Sequence, residues 1–244
     1  MKPDLTVFAD NERWIEGCAE FIGVLARESV ELTGRFTIAL SGGGTPKAVF
    51  ERLAEARHAS GIDWHAVHVF FSDERCVPPG DERSNYRMAH EALLQRCVPP
   101  DNVHRIRGEE EPAVAAALCE DELRREFRTS GWPAFDLVLL GMGDNGHTAS
   151  LFPGTAALRE RERLAVPQYV EVMGAWRVTF SVPLINAARH VAFLVLGAGK
   201  ADMLWNVLRG PYQPDVWPAQ LVSPALGRLH WLVDADAAAK VQAE

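Results

Sequence analysis

The stretch 38–56, "IALSGGGTPKAVFERLAEA", decides how the chain is read. An apolar strand breaks into Ser41, Gly42, Gly43, Gly44, Thr45 and Pro46 and then enters a helix, with Thr45 suited to the N-cap and Pro46 to the first helical position. Three glycines let the backbone approach a ligand closely, and the bare N–H groups and dipole of a helix start favour an anion such as phosphate. The spacing is not that of a Walker A loop, because no Gly-Lys-Ser/Thr follows at the required distance. The plain alternative is a tight turn with no ligand.

On both sides of this unit, apolar runs of strand length alternate with helical patterns. The strands expected are "RFTIAL" (35–40), "AVHVFFS" (66–72), "FDLVLLGM" (135–142), "HVAFLVLG" (190–197) and "RLHWLVD" (228–234). Trp14, Phe21 and Leu25 predict a helix capped by Asp10, and further helices are expected near 46–57, 84–96, 112–127, 199–208 and 235–243. The segment 155–188 is less regular and is expected to hold a short antiparallel addition around "RVTFSV" (177–182). Such alternation predicts an α/β fold, a Rossmann-like and mostly parallel sheet with helices on both faces. No linker, repeat or low-complexity tract interrupts the chain, so residues 1–244 are read as a single α/β domain.

With 244 residues, 48% of them hydrophobic, the chain can bury one large core. Its formal net charge of −8 argues against nucleic-acid partners, because a phosphate backbone would meet a repulsive surface. An anionic ligand therefore needs a local cationic pocket. Lysine is scarce, and two of the four, Lys47 and Lys200, lie in glycine-containing stretches. The opening "MKPDLTVFADNERW" has acidic residues where a signal peptide needs an apolar run, and nothing approaches the ~18 consecutive apolar residues of a membrane span. A soluble cytoplasmic protein is expected, with no membrane partner. Cys18, Cys76, Cys97 and Cys119 are scattered, with no metal-ligand spacing to a histidine, and read as reduced, mostly packed thiols.

Ligands of open parallel sheets gather beyond the carboxyl ends of the strands. Two further strand ends carry polar chemistry. In "HVFFSDERCVPPGDERSNY" the apolar run stops at Ser72, Asp73, Glu74 and Arg75. This is either a ligand-facing cluster or a surface turn in which Asp73 caps the backbone and Arg75 pairs with Glu74, and Ser84 or Asn85 is placed to cap the next helix.

The other is "LLGMGDNGHTASLFPG" (139–154), whose Gly141, Gly143 and Gly146 fit the G-x-G-x-x-G of a dinucleotide turn. Pro153 and Gly154 follow too soon for the helix that such a turn needs, and Glu171 stands at the wrong distance to hold a ribose. His147 has a chemical alternative, since its unperturbed pKa near 6.5 suits a general base at neutral pH. The other seven histidines have structural readings: His68, His190 and His230 in or beside strands, His58, His65, His90 and His104 in helices or loops.

Taken together, "LSGGGTP" (40–46), "FFSDERCVPPGDERSNY" (70–86), "GMGDNGHTASLFPG" (141–154), "RVTFSVPLINAARHVAFLVLGAGKA" (177–201) and "PAQLV" (218–222) resemble the 6-phosphogluconolactonases of the glucosamine-6-phosphate isomerase/6-phosphogluconolactonase superfamily, over nearly the whole length. The resemblance implies hydrolysis of 6-phospho-D-glucono-1,5-lactone to 6-phosphogluconate in the oxidative pentose phosphate pathway, without an essential metal, nucleotide or other cofactor. It implies His147 as general base, Asp73 and Arg75 lining the same site, and Gly42, Gly43, Gly44, Thr45, Arg177 and Lys200 around the sugar phosphate. A monomer or weak homodimer is expected.

Two departures matter. Deaminases of the superfamily carry "G-H-x-A-F-N-E-P", and Phe152 stands here where their glutamate would be. The sister activity, isomerisation and deamination of glucosamine 6-phosphate, thereby loses an acid/base group that hydrolysis does not need. The family also usually has aspartate where this chain has Asn145, an amide that can orient His147 without supplying charge. Asp144 is the candidate substitute for that charge. A sugar-phosphate-binding regulator without catalysis is the remaining alternative, and a serine nucleophile is disfavoured because no G-x-S-x-G elbow occurs.

Overall fold

A computed structural model describes residues 3–242. Along the chain the strands are β1 (Asp4–Phe8), β2 (Phe36–Leu40), β3 (Val67–Phe71), β4 (Asp73–Arg75), β5 (Leu137–Gly141), β6 (Ala165–Val170), β7 (Ala175–Phe180), β8 (His190–Val195) and β9 (Arg228–Asp234). Six of them form a parallel sheet in the order β1-β9-β8-β5-β2-β3. The other three form an antiparallel sheet in the order β4-β7-β6.

All five expected strands of the large sheet are present, and β2, with every residue buried, is covered on both faces as a parallel strand must be. The first long helix, α1 (Asn11–Thr33), starts at Asp10, whose carboxylate accepts from Arg13 N at 2.8 Å. It ends at Gly34, left-handed at φ 79°, and is pinned to the sheet where Trp14 Nε1 donates to the Leu232 carbonyl at 2.8 Å.

The chain runs from β2 outward to β3 on one side, and from β5 through β8 to β9 on the other. The order therefore reverses between β2 and β5, the switch point at which α/β sheets leave a crevice for ligands. The glycine turns after those two strands are the two singled out above, and they lie side by side.

Three strands were not expected. β1 is a half-exposed edge strand of five residues, and β6 carries Pro167, which an edge strand tolerates and a central one does not. β4 is "DER", three charged residues with no strand signal at all. The surface-turn reading of that cluster is wrong: Asp73 and Glu74 are only 4% and 2% exposed, and Asp73 pairs with Thr179 and Arg75 with Arg177 across the small sheet.

The cap of the helix after β2 also needs correcting. This helix, α2 (Gly44–Leu53), starts one residue before Thr45, with Gly43 as its N-cap at φ 106°, so Pro46 sits at its third position. A positive φ at the cap position suits glycine, and Thr45 falls inside the first turn, with no side chain capping the helix. One apolar cluster joins the sheets, with Phe135 packed on Phe180 at 5.5 Å between ring centres.

Candidate active site

At the switch point the turns after β2 and β5, the small sheet and the start of the helix Ala201–Arg209 enclose one cleft. It is lined by Gly42, Gly43, Gly44, Thr45, Asp73, Arg75, His147, Arg177 and Lys200, which were spread over more than 150 positions in the sequence. Asn145 stands behind them, bonded to His147.

The segment 142–154 holds no helix, which removes the dinucleotide reading. It is a folded turn, with Gly146 N bonded to the Gly143 carbonyl at 3.0 Å and Gly143 N to that of His147 at 2.9 Å. Gly146 is left-handed at φ 75°, and a Cβ there would come within 3.1 Å of Trp217 Cα. Ala149 is also left-handed at φ 47°, an uncommon conformation for a residue with a side chain, and it lines the cleft.

Asn145 Oδ1 accepts from the His147 backbone N–H at 3.2 Å and lies 2.6 Å from His147 Nδ1. The backbone donor identifies that atom as the amide oxygen, so Nδ1 carries a proton and Nε2 keeps its lone pair. Burial pushes the His147 imidazole down to about 4, with the Arg177 and Lys200 charges acting the same way and the Asp73 carboxylate opposing them. Phe152 covers one face of the imidazole, its ring stacked at 4.1 Å between centres. The Arg177 guanidinium lies 5.6 Å from the centre of that same ring, within cation–π range.

Asp73 is held on both oxygens. Ser150 Oγ donates to Oδ2 at 2.6 Å, Asn85 Nδ2 donates to Oδ1 at 3.1 Å, and Arg177 Nη1 lies 3.7 Å from Oδ2. A fixed carboxylate of this kind supplies negative charge to the cleft and orients Arg177. Glu74, on the opposite side of the strand, accepts from the backbone N–H groups of Arg75, Asn85 and Tyr86 and from Ser84 Oγ. It ties the following helix to β4 and so sets the position of Asn85. Ser84 is the residue that caps that helix, accepting from Arg87 N at 3.1 Å.

Arg75 donates to the Arg83 carbonyl at 2.5 Å, and its guanidinium is not paired with Glu74. Lys200 pairs with Asp144, whose side chain is 88% exposed. Asp144 thus neutralises a lysine at a helix start, and its influence on His147 is the smallest of those acting on the imidazole.

The sequence reading missed Ser150, Asn85 and the stacking of Phe152. Ser150 and Phe152 lay inside a quoted motif, but their roles depend on contacts with segments far away in the chain.

The chain from residue 9 to 231 matches the family model described as glucosamine-6-phosphate isomerases/6-phosphogluconolactonase. A 6-phosphogluconolactonase of Nostoc sp. is 40% identical over 99% of both chains, and one of Synechocystis sp. is 39% identical over 97% of this chain and 98% of its own. Among solved structures, that of 6-phosphogluconolactonase from Trypanosoma brucei superimposes with a TM-score of 0.85 at 28% identity, over 98% of this chain and 99% of its own. The match runs through all three strand ends that build the cleft, and the chain belongs to the glucosamine-6-phosphate isomerase/6-phosphogluconolactonase family.

Proposed function

We propose that the protein hydrolyses 6-phospho-D-glucono-1,5-lactone to 6-phospho-D-gluconate. The observation that carries this reading is His147: a neutral imidazole with its tautomer fixed by Asn145, in a cleft that also holds a glycine-rich helix start, two arginines and a lysine. In this reading His147 Nε2 takes a proton from water as the water oxygen attacks the lactone carbonyl. The C–O bond to the ring oxygen then breaks, and the imidazolium returns the proton to that oxygen, so the sum is addition of one water. The cations of the cleft offset the oxyanion charge that develops in between.

The phosphate is assigned to the N–H groups of the 42–45 turn with Arg177 and Lys200. Lys200 is the adaptable member, because its pair with exposed Asp144 is worth only about 0–1 kcal/mol and yields to a phosphate dianion. Arg177 is already bound to Asp73 and Ser150, and serves as a fixed charge. A base with a pKa of about 4 is weak, but the arriving phosphate raises it and a lactone is far more electrophilic than an amide.

The deaminase reading is disfavoured by Phe152, which occupies the glutamate position as a ring stacked on His147. One assay separates the readings: freshly generated lactone is expected to disappear well above the buffer blank. A rate equal to the blank favours a sugar-phosphate-binding regulator, and ammonia release from glucosamine 6-phosphate favours the deaminase.

The pH profile tests the base. Because the imidazole of the free protein titrates near 4, the limb of kcat/KM set by the base is expected only as pH approaches that value, below the step near about pH 6 at which the substrate phosphate takes up a proton. Asn145→Asp places a carboxylate on Nδ1, stabilises the imidazolium and moves the acid limb up by about 1–3 pH units, with activity at neutral pH similar or higher. An unmoved limb, or a strongly inactivated variant, rejects Asn145 as the partner that sets the base.

A further inference from the structure

Away from the cleft, near the amino-terminal end of β3, side chains that the reaction does not use converge. His68 stands on β3. A parallel bridge between Val69 and Val103, with the His104 N–H donating to the Val69 carbonyl at 2.8 Å, lays the next segment alongside. His68 Nδ1 and His104 Nε2 thereby come to 3.3 Å. The helix Pro112–Phe127 presents Glu122 and Glu126, one turn apart and so on one face. Glu122 Oε1 lies 2.8 Å from His104 Nδ1, and Glu126 Oε2 lies 4.0 Å from His104 Nε2.

We propose that His68 Nδ1, His104 Nε2 and the Glu126 carboxylate bind a divalent transition-metal ion of the zinc type, with Glu122 as the carboxylate that orients His104. The three donor atoms lie within 4.8 Å of one another. Tetrahedral ligands at the usual zinc distances are separated by about 3.4 Å, so the histidine pair already has the required spacing and a small rotation of Glu126 completes the face. The Nδ1 proton of His104 goes to Glu122, which leaves the Nε2 lone pair toward His68 and Glu126. This carboxylate–imidazole pairing is how proteins hold a metal-bound histidine in the right tautomer.

Two nitrogens and one carboxylate suit zinc, cobalt or nickel better than magnesium or calcium, which prefer oxygen. The ring of Phe70 stacks on His104 at 4.4 Å, with Phe127 against Phe70, and gives the site an apolar wall. The other charges facing it are Arg125, paired with Glu122 and with Glu126 Oε1 at 3.5 Å, a partner that leaves Glu126 Oε2 for the ion, and Arg35, which donates to the Glu126 carbonyl at 3.3 Å. An ion here would clamp the helix Pro112–Phe127, which also packs on the small sheet, to the edge strand β3. None of the four residues lines the cleft, so the clamp acts on stability and leaves the chemistry alone.

Protein freed of metal with a chelator and titrated with zinc is expected to take up an ion that raises Tm. Glu126→Gln, at a side chain 25% exposed, and His68→Gln are each expected to weaken this binding at least about tenfold, and Glu122→Gln by about 10–100-fold. Lactone hydrolysis by the Glu126→Gln and Glu122→Gln variants is expected to match that of the unaltered protein. No zinc uptake, or uptake of equal affinity by Glu126→Gln and His68→Gln, overturns the proposal: the histidines then share only a hydrogen bond, or the ion sits elsewhere.

Discussion

Alanine at position 147 is expected to lower kcat/KM for 6-phosphogluconolactone by about 10²–10⁴-fold, with KM little changed and the protein still folded. The direction follows from what the side chain touches. Its ring stacks on Phe152 and bonds to the exposed Asn145, and no backbone group of the large sheet depends on it. Removing it takes away the proton acceptor while leaving the helix start at Gly44, Arg177 and Lys200 in place to bind substrate. A residual rate above the blank is expected, because positioning and electrostatic stabilisation persist without the base. Added imidazole should restore part of the loss at pH 7. Wild-type activity in this variant would remove His147 from the mechanism, and a raised KM with unchanged kcat would make it a binding residue.

How far the sequence reaches can be judged element by element. The five buried parallel strands were legible because a strand covered on both faces is a continuous apolar run, a signal that survives without context. β4 was not, since "DER" has the composition of a surface turn and becomes a buried strand only because Asn85, Ser150 and Arg177 arrive to satisfy Asp73. β6 was obscured by Pro167, and β1 by its half-exposed pattern.

The three turns of the cleft were legible as strand-end motifs, because the switch-point rule turns a list of loops into neighbours, whereas Arg177 and Lys200 entered only through the family resemblance. Their wiring was not. The resemblance places Asp73 in the site, but no sequence signal shows that Asn85 and Ser150 each donate to one of its oxygens. Asp144 was the candidate for the charge missing at Asn145, and it instead answers Lys200. The Asp144 assignment turns on which of two adjacent side chains faces inward, and in an irregular turn no periodicity decides that; the partners of Asp73 come from segments far away in the chain.

The turn that carries His147 leads to the sharpest expectation, the one for Gly143→Ala. A Cβ built on Gly143 falls 2.0 Å from both Cε1 and Nδ1 of the His147 ring, far inside any tolerable contact. Gly143 is not among the left-handed glycines, so the backbone accepts alanine without strain, and the ring is what must move. A ring driven from this position loses the Asn145 bond that fixes its tautomer and the Phe152 face that buries it.

The loss in kcat/KM is therefore expected to approach that of His147→Ala, about 10²–10⁴-fold, although the reacting side chain is still present. Stability should change little, because the displaced ring can turn toward solvent beside the exposed Asp144 and Asn145. The double variant Gly143→Ala/His147→Ala isolates the cause. With the ring gone the three atoms nearest the added methyl are removed, so the double variant should be no slower than His147→Ala alone, a non-additivity equal to nearly the whole effect of the glycine change. Additive losses would instead mean that Gly143 acts through its backbone amide in the cleft, and near-normal activity in the single variant would mean that the base works from a ring position other than the one held by Asn145.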